Sequence, residues 1–136
     1  MELENLLTKT DKLLNKAVFK SIKQLRLTID KEILDDYIII GCFNSFQMEL
    51  LNTKTSKIKL SLDSLLKNKI NHPELKLEDY KKIKRIISKP DEVKLSKNRN
   101  NCILLLKKDK KRYQVVVKAT KDKKENFLTS FRFAQH

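Results

Sequence analysis

The sequence predicts an α+β fold with an antiparallel sheet, and three observations lead to this class. Over residues 2–25, 62–71 and 77–88, apolar side chains recur every three or four positions, which is the spacing of one helix face. From residue 92 onward, apolar and polar side chains alternate or form short apolar runs, as they do in strands. The chain has 136 residues, enough for one domain with a core of its own.

The N-terminal part of the chain predicts one long helix and one strand. Residues 2–25 form an amphipathic helix with leucines on one side and lysines on the other. This helix either packs on the core, which is the favoured reading, or docks a partner. Residues 37–40 (YIII) predict a strand that ends near Gly41, the single glycine of the chain. Residues 46–51 fit either a second short strand or a turn of helix.

The middle of the chain predicts a short strand and two helices. Residues 57–60 (KIKL) alternate as a strand, and Ser61 is a suitable N-cap for the helix that follows. That helix ends at Asn71, because a proline at position 73 favours an extended conformation for the residue before it. Residues 77–88 predict a second helix, which a proline closes.

The C-terminal part predicts four strands, at residues 92–95, 102–107, 113–118 and 127–134. Side chains alternate between the two faces of a strand. On the last strand we expect the residues in step with Phe131 to form a core face, namely Phe127, Thr129 and Phe133. Ser130 and Arg132 then share the opposite face, with Lys118 of the preceding strand across from them.

The basic residues are unevenly distributed. The net charge is +14, yet residues 1–80 hold 13 basic and 12 acidic side chains, while residues 81–124 hold 17 basic and 4 acidic ones. Such asymmetry favours a polyanionic partner, RNA or DNA first. A lysine-rich surface without a specific partner is the alternative.

Other compositional features exclude several classes of protein. Cys42 and Cys102 sit beside apolar residues, which predicts two reduced, buried thiols in a cytoplasmic protein. With two histidines and no CxxC motif, we expect no metal site and no cofactor. No apolar run approaches the length of a membrane span, so we expect no membrane association.

A few polar residues form a constellation suited to cleaving RNA without a metal. Such cleavage needs a base, an acid and cationic donors that hold the phosphate. His72 suits acid or base, Arg132 and Lys118 suit phosphate binding, and Ser130 or Thr129 suits a hydrogen bond to it. Each of them also has a simpler reading, as a capping or ordinary surface residue.

An ordered series of segments makes the chain resemble the phage-associated barnase–EndoU–colicin–RelE-like nucleases, abbreviated PBECR, over about residues 58 to 135. The series, with the apolar strand 102–107 inside it, is 71–75 (NHPEL), 77–80 (LEDY), 87–93 (ISKPDEV), 113–120 (YQVVVKAT) and 127–132 (FLTSFR). The resemblance implies helices that precede a curved antiparallel sheet of about four strands, as in barnase, EndoU and RelE. It divides the chain into an N-terminal segment, 1–57, packed on or extending the core, and a nuclease-like domain, 58–136.

The resemblance also implies an activity: metal-independent cleavage of RNA by transesterification, in a toxin or an effector of phage and mobile elements. His72, Lys118, Ser130 and Arg132 are the catalytic candidates. The substrate-binding candidates are Thr129, Thr120, Tyr113 and Lys121. We expect the lysines of 81–124 to bind the RNA strand, with Tyr80 and Tyr113 stacking on its bases. The substrate is tRNA, rRNA or mRNA, and a small acidic antitoxin or immunity protein is a further expected partner.

Two other functions fit the same residues. One is a binding module on this fold that grips nucleic acid or a partner without catalysis, because His72 is the single internal histidine. The other is a protein whose N-terminal helix recruits a partner, such as an antitoxin with acidic residues that cover the basic region.

Overall fold

The computed structural model describes residues 2–16, 34–96 and 101–134. Its helices are α1 (Glu2–Lys16), α2 (Ser45–Leu51), α3 (Leu62–Asn71), α4 (Leu77–Tyr80) and α5 (Ile83–Ser88). Its strands are β1 (Tyr37–Cys42), β2 (Lys57–Ser61), β3 (Glu92–Leu95), β4 (Cys102–Asp109), β5 (Lys111–Ala119) and β6 (Asn126–Phe133). The part of the predicted N-terminal helix beyond Lys16 lies outside the described residues.

The strands form one sheet in the order β1-β2-β6-β5-β4-β3. All neighbours are antiparallel except β2 and β6, which run parallel with Ile58 opposite Asn126 and Lys59 opposite Phe127. The α+β class is therefore confirmed, but the prediction of about four antiparallel strands was wrong: the described sheet has six strands and is mixed. The four predicted strands are β3–β6, and β1 and β2 join them through the parallel pair.

Local signals explain most helix boundaries. Ser61 caps α3, since its side chain accepts a hydrogen bond from the N–H of Ser64 at 3.1 Å, and α3 ends at Asn71 as predicted. Residues 45–51 are a helix because Asn44 and Gln47 form a capping box. The single helix predicted for 77–88 is interrupted between α4 and α5. A carboxylate oxygen of Asp79 caps the N-terminal end of α4 by accepting from the N–H of Lys76 at 2.8 Å.

One face of the sheet, which we call the covered face, carries the core. Tyr113 and Val115 of β5 lie on it, fully buried. Tyr80 meets Phe131 edge-on at 5.4 Å between ring centroids, and Tyr113 stacks on Phe131 at 5.6 Å. Aromatic pairs in these geometries stabilise a core beyond the area that they bury.

The opposite face, the open face, is interrupted by a bulge in β6. Val116 lies opposite Ser130, but Val117 lies opposite Leu128, so Thr129 is an extra residue in the strand. Phe127 therefore shares the open face with Ser130 and Arg132, while Leu128 and Phe131 are buried on the covered face. The prediction that Phe127 and Thr129 share the core face with Phe131 was wrong for this reason.

A second irregularity, between Ile39 and Gly41 of β1, sets Cys42 opposite Lys57 of β2. Cys42 is exposed and Cys102 is buried, and both are free thiols, so the expectation of two buried thiols was wrong for Cys42. The bulge gives β1 one residue more than its partner strand, which changes the side that the residues after it face.

The predicted boundary between the N-terminal segment, 1–57, and the nuclease-like domain, 58–136, falls at the start of β2, and this division stays a prediction. β1, from the N-terminal segment, pairs along its length with β2, from the nuclease-like segment. Among the helices of the described ranges, none has both the length and the apolar character that crossing a membrane requires.

Candidate active site on the open face of the sheet

A cavity of about 380 Å³ lies on the open face, between the C-terminal end of α3 and strands β4–β6. This is within the range of small-ligand sites. Its helix side is lined by Lys67, Asn68, Asn71 and His72. Its sheet side is lined by Ser96, Cys102, Leu104, Gln114, Val116, Thr129, Ser130 and Arg132. Four of the predicted site residues, His72, Thr129, Ser130 and Arg132, are thus brought together from two elements, the end of α3 and β6.

The end of α3 positions His72. Its backbone N–H donates to the carbonyl of Asn68 at 2.8 Å and so closes the last turn of the helix. Its side chain is a quarter exposed, and its Nδ1 lies 3.6 Å from Oε1 of Glu74. The Glu74 carboxylate thus lies beside the imidazole, and the partly exposed ring lines the cavity.

The bulge positions the two hydroxyls and the guanidinium. Thr129 donates its hydroxyl to the carbonyl of Val116 at 3.3 Å, and Ser130 follows directly. Arg132 lies opposite Gln114, in the next outward position of β6. In the part of the chain that the structure describes, no carboxylate lines the cavity or pairs with Arg132. The guanidinium is thus available for an anion.

Asn68 holds the bulge in place. Its side-chain oxygen accepts from the backbone N–H of Phe131 at 2.8 Å, beyond the point at which β2 pairs with β6. Its amide nitrogen donates to the hydroxyl of Tyr80 at 3.0 Å. One buried side chain therefore links α3, β6 and the core beneath the cavity.

Lys118 lies beside the cavity and does not line it. It is exposed on the open face, between Cys102 of β4 on one side and Phe127 of β6 on the other. The register confirms that Lys118 shares a face with Ser130 and Arg132, but the prediction that it lies across from them was wrong, because Val116 and Gln114 occupy those positions.

Three predicted substrate-binding residues lie elsewhere. Thr120 and Lys121 are in the turn between β5 and β6, where the hydroxyl of Thr120 donates to the carboxylate of Asp122 at 2.6 Å. Tyr113 is in the core and has no exposed surface, and its hydroxyl donates to Asp79 at 2.5 Å. The predicted stacking of Tyr113, and equally of the buried Tyr80, on RNA bases is therefore wrong, because the strand alternation and the helix face turn both rings inward.

Burial and hydrogen bonding shift the pKa values of the Asp79–Tyr113 pair. Burial raises the pKa of Asp79, but the hydrogen bonds from the Tyr113 hydroxyl and the Lys76 N–H outweigh it, so the pKa lies below its ordinary value of 3.8. Burial, reinforced by the Asp79 carboxylate, raises the pKa of Tyr113. Asp79 is therefore ionised and Tyr113 is neutral at physiological pH, as a structural pair requires.

Sequence reasoning missed the amide side chains of the site. Asn68, Asn71 and His72 are spaced as neighbours on one helix face, and Gln114 alternates in step with Lys118. Those spacings were the available signal. Among the described residues, no cluster of three or more histidine, cysteine or acidic side chains is placed to hold a metal ion.

Comparison with known proteins gives one match. The model of the family described as phage-Barnase-EndoU-ColicinE5/D-RelE like nuclease3 matches residues 44–136, about two thirds of the chain. The matched region includes every residue that lines the cavity. No curated protein and no solved structure matches the chain.

Proposed function

The chain belongs to the phage-Barnase-EndoU-ColicinE5/D-RelE like nuclease3 family, and from this premise we propose that it is a metal-independent endoribonuclease. The family indicates a nuclease acting on nucleic acid. Our proposals beyond this are RNA as the substrate, transesterification as the reaction, and a role in the cytoplasm as a toxin or as a phage or mobile-element effector. The observation that carries them is the cavity in which His72, Arg132 and two hydroxyls meet.

In the proposed reaction, the 2′-oxygen of a ribose attacks the adjacent phosphorus. The 2′-hydroxyl loses its proton to a base, a 2′,3′-cyclic phosphate forms, and the departing 5′-oxygen takes up a proton from an acid. His72 serves as the base or the acid, and the carboxylate of Glu74 lies 3.6 Å from its Nδ1. The second proton is exchanged with another group or with water.

Charge that builds on the phosphate during this attack is stabilised by cations and hydrogen-bond donors. Arg132 presents a planar pair of N–H groups to two phosphate oxygens, and Lys118 contributes a point charge from the edge of the cavity. Ser130 and Thr129 orient the phosphate. Thr120 and Lys121, in the β5–β6 turn, bind the strand at a distance from the reacting bond.

The direct test incubates labelled RNA with the protein in the presence of EDTA. We expect cleavage products with 2′,3′-cyclic phosphate ends, and loss of cleavage in His72→Ala and Arg132→Ala with an unchanged circular dichroism spectrum. Arg85→Ala is the matched control, since Arg85 is an exposed arginine of α5 that does not line the cavity. Full cleavage by His72→Ala and Arg132→Ala would remove the proposed site.

The cellular test expresses the protein in bacteria and sequences RNA ends that carry a 2′,3′-phosphate. Growth arrest with discrete cleavage sites in tRNA, rRNA or mRNA supports the toxin role. Co-purification of a small acidic protein with the product of the native operon supports an antitoxin or immunity protein as the partner. The absence of any cleaved cellular RNA contradicts the activity.

A non-catalytic nucleic-acid-binding module is the second candidate. One observation favours it: among the described residues that line the cavity, His72 is the single imidazole, and none is a carboxylate. Retention of RNA that weakens with salt, without any product, selects this function.

A further inference from the structure

A second group of side chains lies on the open face beyond the cavity, toward β1. Lys118, Phe127, Lys59 and Ile39 occupy successive opposite positions on β5, β6, β2 and β1. Side chains that are opposite each other on neighbouring strands lie side by side on the same face. The row therefore continues the surface on which Ser130 and Arg132 lie.

Two aromatic rings flank a lysine in this group. Nζ of Lys59 is 4.4 Å from the centroid of the Tyr37 ring and 5.9 Å from that of Phe127. Tyr37 is 51% exposed, whereas the other two tyrosines of the chain, Tyr80 and Tyr113, are buried. An aromatic ring that stays exposed forgoes the stabilisation that it would gain by burial in the core. We call Tyr37, Lys59, Lys118 and Phe127 the aromatic strip.

The charges around the aromatic strip match a polyanion. Lys57 alternates in step with Lys59 on β2 and is exposed on the same face, and Lys118 is exposed at the other end of the row. Glu125 lies against the strip, 2.7 Å from Nζ of Lys59. Among the described residues named here, the three lysines outnumber that carboxylate, and the resulting positive charge favours a phosphate backbone.

The aromatic strip begins close to the cavity. Because of the bulge, Phe127 and Ser130 lie opposite Lys118 and Val116, two positions of β5 apart, which corresponds to roughly 7 Å along a strand. A nucleic-acid chain held at Arg132 and Ser130 reaches Phe127 without leaving the sheet. Flat aromatic faces interleaved with lysines bind single strands, because every base has a face that stacks and every phosphate attracts a cation.

We propose that the aromatic strip binds the single-stranded continuation of the RNA whose phosphate lies in the cavity. Bases stack on Phe127 and Tyr37, and Lys118 and Lys59 neutralise the phosphates between them. The proposal rests on the proposed function for the nature of the substrate. It adds that the substrate is unpaired next to the reacting bond, since a base in a duplex has no free face to offer.

The test measures binding without cleavage, by anisotropy of a labelled RNA in which every 2′-hydroxyl is methylated and cannot attack. We expect Tyr37→Ala and Phe127→Leu each to weaken binding about 5- to 100-fold, the range that loss of one base–aromatic stack produces. Tyr37→Phe keeps the ring and should bind like the wild type. Phe46→Ala is the matched control, because Phe46 is 62% exposed on α2, outside the strip.

Three results would overturn the strip: Tyr37→Ala and Phe127→Leu bind like Phe46→Ala, a duplex of the same sequence binds as tightly as the single strand, or polyglutamate competes as well as RNA. Cleavage of unmethylated RNA by the wild type is measured in parallel. If the wild type cleaves but the variants bind normally, the strip falls and the proposed function stands. If the variants lose binding but the wild type does not cleave, the strip stands and the proposed catalysis falls.

Discussion

The two faces of the sheet place residues of the same strands under opposite conditions. On the covered face, Tyr113 and Phe131 are fully buried, and the hydroxyl of Tyr113 is paired with Asp79. On the open face, Gln114 and Arg132 are partly exposed around a cavity, and Lys118 is exposed. The covered face satisfies its polar groups internally, whereas the open face leaves its cations available to an anion.

The difference separates stability from binding along one strand. A residue of β5 or β6 that faces the helices should affect the free energy of unfolding, and its neighbour should affect nucleic-acid binding. The following predictions test that separation, beginning with the largest expected effect.

Phe131→Ala should lower the free energy of unfolding by about 3–5 kcal/mol, because it removes a fully buried ring that contacts Tyr80 and Tyr113. Phe127→Ala, on the open face of the same strand, should cost clearly less. Urea unfolding of both variants measures the difference. Equal losses would show that the two faces are not energetically distinct.

Asn68→Ala should lower the free energy of unfolding by about 2–4 kcal/mol, because it leaves the N–H of Phe131 and the hydroxyl of Tyr80 without their partner. It should also weaken RNA binding, since the bulge beneath the cavity loses its anchor. Lys67→Ala, at the exposed neighbouring position of α3, is the control for stability. Normal RNA binding by folded Asn68→Ala would separate the bulge from the site.

Tyr113→Phe should lower the free energy of unfolding by about 1–3 kcal/mol at neutral pH, because the Asp79 carboxylate loses a hydrogen bond. The folded pKa of Asp79 lies below 3.8, so its stabilising contribution is present above that pH and is lost as the pH falls through the folded pKa. The difference between the variant and the wild type should therefore shrink below pH 3.8.

Urea unfolding over this pH range checks the sign. Tyr37→Phe, an exposed tyrosine that loses the same hydroxyl, should leave stability unchanged at every pH. A penalty for Tyr113→Phe that does not depend on pH would contradict the assigned role of Asp79.

Lys118→Gln should change stability by no more than about 0.5 kcal/mol, because the side chain is exposed. It should instead reduce the slope of log K against log salt for single-stranded RNA by about 0.7, the contribution of one phosphate contact. Binding titrations with 2′-O-methylated RNA at several salt concentrations measure the slope. Lys84→Gln, an exposed lysine of α5, should leave it unchanged.

Local sequence signals predicted the helix ends and strands that local chemistry determines. The Ser61 cap, the end of α3 at Asn71 and the four C-terminal strands follow from capping chemistry, proline and alternation, and the structure contains all of them. The resemblance in segments 71–132 led to the family that residues 44–136 match. The local pattern did not predict the interruption between α4 and α5, where Nζ of Lys82 contacts the hydroxyl of Tyr113 in β5.

Long-range pairing and one extra residue account for the rest. The parallel contact of β2 with β6 joins residues that are far apart in the chain, and it leaves no mark on either strand's pattern. The bulge at Thr129 breaks the alternation on which the predicted core face depended. The bulge also turns the partly exposed Phe127 to the open face, which the sequence analysis missed, and the exposed Tyr37 was missed as well.

The bulge at Thr129 also determines how this chain tolerates changes in length. The residues before it and those after it are out of step by one position relative to the two faces. Deleting Thr129 would restore regular alternation in β6, and Phe127, Ser130 and Arg132 would still share the open face. The orientation of β6 therefore tolerates the loss of this residue, and the loss would remove the Thr129 hydroxyl from the cavity.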